Sequence, residues 1–128
     1  MVQQITSGIK ISVDTNFEGT FYKNHKVHFA FGYRISIEYQ SKYPVQLTSR
    51  FWEIKDALNN TEIVEGEGVI GKKPVLKPGE SHTYNSGCLL NSPFGSKKGH
   101  YNMINFTSAQ KFQVMIPSFK LLASLALN

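Results

Sequence analysis

From Val27 to Tyr39 every odd-numbered residue is apolar: Val27, Phe29, Phe31, Tyr33, Ile35, Ile37 and Tyr39. The even-numbered residues between them are polar or small: His28, Ala30, Gly32, Arg34, Ser36 and Glu38. A period of two sustained over such a run describes a strand with one buried face, and no amphipathic helix can satisfy it. Ile9, Ile11 and Val13 repeat the pattern in a shorter first strand. Val45 to Lys55 carries Val45, Leu47, Phe51, Trp52 and Ile54, and ends at Asp56-Ala57-Leu58-Asn59-Asn60, a cluster suited to a turn. Thr61 to Glu65 continues it briefly. His82 to Leu90, Tyr101 to Thr107 and Lys111 to Ile116 read as further strands, the last two joined through Thr107-Ser108-Ala109-Gln110. Glycine and proline punctuate the rest. No window has convincing helical spacing; the nearest is the tail, Leu121 to Leu127, which is short and uncapped. About seven strands with regular turn signals predict an all-β sandwich or barrel.

The chain has 128 residues, enough for one domain spanning 1–128 with its own core. Cys88 is the single cysteine, so no internal disulfide and no cysteine-rich zinc site can form. That usage and an N-terminus, Met1-Val2-Gln3-Gln4, without a signal-peptide pattern favour a cytoplasmic setting. No apolar run approaches the roughly 18 residues that would span a bilayer. The triplets beginning at Asn59 and Asn105 fit the short glycosylation pattern by chance. The net charge of +5 favours anionic partners, or simply describes a solvated surface. The local pairs Lys72-Lys73 and Lys97-Lys98 are too short for a nucleic-acid-binding run.

Gly66-Glu67-Gly68-Val69-Ile70-Gly71 matches G-x-G-x-x-G. A dinucleotide fingerprint needs a strand before it and a helix after it. Here Pro74, Pro78 and Gly79 follow, which forbids the helix. Two readings remain. One is a connection between strands in which glycine supplies positive φ or close backbone approach. The other is a non-helical anion nest built from Gly66, Gly68 and Gly71, with charge from Lys72 and Lys73 and from Lys97 and Lys98 if those pairs converge.

Catalytic candidates are sparse. Cys88 and His82 would share a strand face but lie roughly 20 Å apart at about 3.3 Å per residue, too far for a nucleophile–base pair. Cys88, between Gly87 and Leu89-Leu90, reads as a buried structural thiol. His25 and His28 could begin a metal site, but no third ligand is evident. Glu65 and Glu67 could share a face, and read more simply as edge charges. Phe29, Phe31, Tyr33 and Tyr39 could stack on single-stranded nucleic acid, but their face lacks basic residues and reads as core. The sequence therefore predicts no enzyme, no cofactor and no metal.

A longer pattern runs through the chain. Arg50-Phe51-Trp52-Glu53-Ile54-Lys55-Asp56 is followed by the glycine hexad, then Pro74-Val75-Leu76-Lys77-Pro78-Gly79-Glu80, Tyr84-Asn85-Ser86-Gly87-Cys88-Leu89-Leu90, Gly95, Gly99-His100-Tyr101-Asn102-Met103 and Ile116-Pro117-Ser118-Phe119-Lys120-Leu121. That ordered series resembles the ApaG family over about Ile9 to Leu121. The resemblance implies a fibronectin type III-like or immunoglobulin-like sandwich of two antiparallel sheets, with about seven or eight strands. It also implies a link to cobalt and magnesium efflux phenotypes, with no established catalytic residues. Related domains in eukaryotic F-box proteins and a polymerase-delta-interacting protein imply partner binding. Three positions depart from the family pattern: Lys73 replaces a usual glutamine, Lys97 a frequent methionine, and Ser108-Ala109 a turn pair such as Asp-Gly.

The expectation is a non-enzymatic interaction module with a protein partner. Gly66 to Gly79 and Ser92 to Gly99 are its expected binding loops, and an exposed edge could take a partner strand. The alternative is a binder of a phosphate-containing small ligand through Gly66 to Gly71. The tail from Leu121 to Leu127 is expected to pack on its own sandwich or on a second copy.

Overall fold

The computed structural model describes residues 1–57 and 61–123. Nine strands follow in order: β1 (Val2–Thr6), β2 (Ile9–Lys23), β3 (Lys26–Tyr39), β4 (Val45–Asp56), β5 (Glu62–Glu67), β6 (Val75–Leu76), β7 (Ser81–Leu90), β8 (Phe94–Asn105) and β9 (Lys111–Leu122). One sheet runs β1-β2-β3-β7; the other runs β5-β4-β8-β9, with β6 added against β4. Every named pairing is antiparallel. The two sheets face each other as a sandwich, as the alternation predicts.

The register places the predicted apolar positions inside. Ile9, Ile11 and Val13 of β2 pair with Tyr39, Ile37 and Ile35 of β3, and all six are buried. Val45, Leu47 and Trp52 face them from β4, with Tyr101 and Met103 of β8 and Val114, Ile116 and Phe119 of β9. Each such side chain contributes roughly 1.5–3 kcal/mol by leaving water. Phe31, Tyr33 and Tyr39 belong to this core rather than to a stacking platform.

Several boundaries differ from the sequence reading. β2 continues to Lys23 across a bulge between Phe17 and Gly19, although its outer half is polar. β1 adds a strand before Ile9. β8 begins at Phe94 rather than Tyr101, so the expected loop Ser92 to Gly99 is largely strand. Gly95 and Gly99 misled that reading. They mark close backbone approach: a Cβ would sit 2.2 Å from the Lys55 carbonyl oxygen at Gly95 and 1.9 Å from that of Phe51 at Gly99. β9 runs on to Leu122, and Leu121 is buried in its own sandwich. The remainder of the expected tail, 124–127, lies outside the described residues, as do 58–60 of the expected turn cluster. The β8–β9 connection uses Ala109 at φ 58°, while the Asn105 side-chain oxygen accepts from the Thr107 and Ser108 amides.

Candidate functional site

β5 ends in the glycine hexad, and the backbone there is committed to a tight turn. Val69 and Lys72 exchange both backbone hydrogen bonds, at 2.7 and 3.0 Å. Ile70 (φ 48°) and Gly71 (φ 73°) form the tip, both left-handed as a two-residue hairpin requires. Gly68 donates to the Thr48 carbonyl, and a Cβ on it would lie 2.1 Å from the Lys72 oxygen. The amides of Gly68, Val69 and Lys72 are therefore spent inside the protein.

Gly66 has another role. A Cβ there would lie 2.8 Å from Nη2 of Arg50. The missing side chain makes a seat for that guanidinium, whose Nη1 donates to the carbonyls of Glu67 (2.9 Å) and Gly68 (2.8 Å). β4 thus holds the start of the turn through Arg50.

The four lysines singled out by sequence do not converge. Lys73 pairs with Glu67 at 3.1 Å beside the turn. Lys98 pairs with Glu53 at 3.2 Å. Lys97 points the other way from β8 and is buried between the sheets, 4% exposed. Its Nζ donates to the Tyr33 hydroxyl and lies 4.2 Å from the centroid of the Tyr33 ring and 4.1 Å from that of Trp52. Phe119 completes this aromatic box, 5.5 Å from Tyr33 and 5.9 Å from Trp52. Burial pulls the Lys97 amine down from 10.5 to about 8, with a smaller upward push from Cys88 and a smaller further lowering by the Arg50 charge. Among the described residues, neither Lys97 nor Arg50 joins an ion pair with a carboxylate.

A cavity of about 210 Å³ opens beside this box, lined by Tyr33, Arg50, Trp52, Tyr84 and Ser86 together with Glu67 and the tip at 69–71. Burial raises the Tyr33 hydroxyl, against a smaller lowering by Ser86. Burial also raises the Cys88 thiol, which keeps it protonated. His82 is lowered, first by burial and then by the Lys72 charge. His25 sits in the β2–β3 turn at φ 62°, and His28 stacks on Phe21 at 5.3 Å. Among the described residues no group of three or more His, Cys, Asp or Glu could hold a metal ion. Among the same residues no helix is long and apolar enough to cross a membrane.

Sequence reasoning missed the Arg50–Lys97 arrangement. A usable signal existed for Arg50, which shares its parity with the core residue Trp52 on β4. Lys97 was hidden by its neighbouring glycines, which disguised a strand as a loop.

One further feature is an open edge. β7 pairs only with β3, and no backbone hydrogen bond covers its other side among the described residues. Its sequence, Ser81 to Leu90, contains no Lys, Arg, Asp, Glu or Pro.

Residues 19–105 match the family described as the ApaG domain, DUF525. The chain belongs to the ApaG family. Protein ApaG of Brucella abortus, strain S19, is 39% identical over 121 residues, 94% of this chain and 92% of that protein. A structural-genomics X-ray structure superposes with a TM-score of 0.86 at 31% identity, covering 94% of this chain and 90% of the other. A Bordetella pertussis crystal structure described as an ApaA protein gives 0.83 at 30% identity, covering 92% and 95%. The fibronectin type III-like sandwich is thus shared with both solved structures.

Proposed function

We propose that this ApaG-family chain is a non-enzymatic, cytoplasmic protein-interaction module that captures an extended segment of a partner protein along the open edge of β7. The carrying observation is that β7 offers 10 residues of unpaired backbone edge with no charge or proline to discourage pairing. Exposed edges normally carry such protection, because unpaired N–H and C=O groups recruit other strands. The two ends of the other sheet conform. β5 carries Glu62, Glu65 and Glu67. β9 carries Lys111, Pro117 and Lys120, and β1 packs beside it, with the Met115 amide donating to Thr6. An edge left bare along the length of β7 suits strand addition by a partner. The link to cobalt and magnesium efflux is then indirect, through a bound transporter or regulator.

The phosphate-ligand alternative at Gly66 to Gly71 has less support. Three amides of that turn are already bonded, and Lys73 and Lys98 already have carboxylate partners.

The test uses the full chain as bait for a displayed library of extended peptides. Selected peptides should shift the amides of Ser81 to Leu90. Thr83→Lys and Leu89→Lys, both on exposed β7 positions, should weaken them by about tenfold or more. Peptides that bind equally well to both variants, or a library that yields no binder, would remove the proposal.

A further inference from the structure

We propose that the cavity lined by Arg50, and by the Tyr33 and Trp52 rings that hold Lys97, is a binding site for a small organic carboxylate. The proposal is independent of strand capture at β7. It begins from a cost: an ammonium group taken out of water without a carboxylate partner is destabilising by several kcal/mol. Lys97 is 4% exposed and has no such partner among the described residues. What it has is the Tyr33 oxygen and two aromatic faces. Strongly perturbed buried groups of this kind cluster at functional sites.

Arg50 supplies the second cation. Its Nη1 is held by two carbonyl oxygens and its plane is seated on Gly66, so the guanidinium is fixed in orientation. Its other nitrogens bond no described residue. A preorganised guanidinium with donors to spare recognises a planar carboxylate in two-point fashion.

The hydroxyls complete the donor set. Tyr33 accepts from Lys97, which leaves its own proton to donate. Lys97 therefore bears on the cavity through its hydrogen bond to Tyr33. Trp52 and Tyr33 provide flat apolar walls for the body of an acid. Glu67 is also among the lining residues, and its charge is matched by Lys73. Arg50 is the cation on the cavity wall, Lys97 lies against the Tyr33 and Trp52 rings without lining the cavity itself, and the volume of about 210 Å³ admits an acid of a few heavy atoms. A monoanion balances Arg50; a phosphate dianion must also approach Glu67.

Trp52 is the only tryptophan, so its indole resonance and fluorescence report on this cavity without ambiguity. The labelled full chain is titrated with acetate, propionate and benzoate at constant ionic strength, with chloride and inorganic phosphate as separate arms. The proposal expects a saturable shift of the Trp52 indole and of the Ser86 and Gly71 amides with at least one carboxylate. It also expects the Lys97 amine to titrate higher when that ligand is bound. Lys97→Met and Arg50→Gln should each weaken binding by about tenfold or more. Lys97→Met serves as the decisive variant, because it removes a buried charge and keeps the fold. Absence of a saturable shift with every carboxylate, equal binding by Lys97→Met, or equal response to phosphate or chloride would overturn the assignment.

Discussion

Lys97 holds its ammonium 4.1 Å from the ring centroid of Trp52, deep between the two sheets. The contact contributes about 2 kcal/mol when desolvated. Removing the charge from water costs several kcal/mol. The cost wins, and methionine would fill similar space without it.

Lys97→Met is therefore expected to stabilise the protein near neutral pH by about 1–3 kcal/mol. The gain should depend on pH. Unfolded lysine keeps its proton up to 10.5, whereas folded Lys97 releases it above about 8. Between those values the unfolded state binds more protons, so this lysine's penalty fades as pH rises. The stability gap should close by about 1.4 kcal/mol per pH unit across that window. Cys88, Tyr33 and Tyr84 are raised by burial and act in the opposite direction above their ordinary values of 9.0 and 10.0. Arg50 and Glu62 bear on Lys97 as weaker charges. Comparing urea melts of the variant and parent at each pH largely cancels those shared contributions.

The hydroxyls of Tyr84 on β7 and Tyr101 on β8 hydrogen-bond across the sandwich, and both are buried. Tyr84→Phe strands the Tyr101 hydroxyl and should cost about 1–3 kcal/mol. Removing both hydroxyls leaves nothing unsatisfied. The double variant should therefore be less damaged than the sum of the singles, by about 0.5–3 kcal/mol of coupling. Strict additivity in a double-mutant cycle would show that the bond contributes little.

Two glycines should separate by the kind of neighbour they admit. At Gly99 the obstacle is Phe51 backbone at 1.9 Å, which cannot move without opening the β4–β8 ladder. Gly99→Ala should cost more than about 3 kcal/mol. At Gly66 the obstacle is the Arg50 guanidinium at 2.8 Å, which can swing away at the loss of its carbonyl bonds. Gly66→Ala should cost about 1–2 kcal/mol and release the Arg50 side-chain resonance. Denaturant melts of the two variants check the order.

Ile70 is 60% exposed at φ 48°, a left-handed conformation unfavourable for a β-branched residue. Ile70→Gly relieves this strain while giving up little burial. A gain of about 1 kcal/mol is expected in the same melts. A loss would mean that the Ile70 side chain holds the turn by contact.

The core was legible because alternation is local: Ile35 and Ile37 announce their face by the residues beside them. The family resemblance added the two-sheet arrangement. The site was less legible because its members meet only through tertiary structure. Gly66 reads as a phosphate-loop glycine until Arg50, which pairs with it across β4 and β5, is seen to occupy its missing side chain. Lys97 reads as half of a surface pair with Lys98 until β8 is extended back to Phe94 and sends the two lysines to opposite faces. The edge of β7 is invisible in sequence, since absence of charge in one strand signifies nothing until its neighbours are known.

Strand capture on β7 is tested most directly by amide hydrogen exchange read residue by residue over Ser81 to Leu90. In the unbound chain, amides directed toward β3 should be protected and those directed outward should exchange rapidly. Addition of a peptide selected on the full chain should protect the outward amides and leave the inward ones unchanged. A bound peptide that leaves the outward β7 amides exchanging as before, and protects residues elsewhere, would contradict the account.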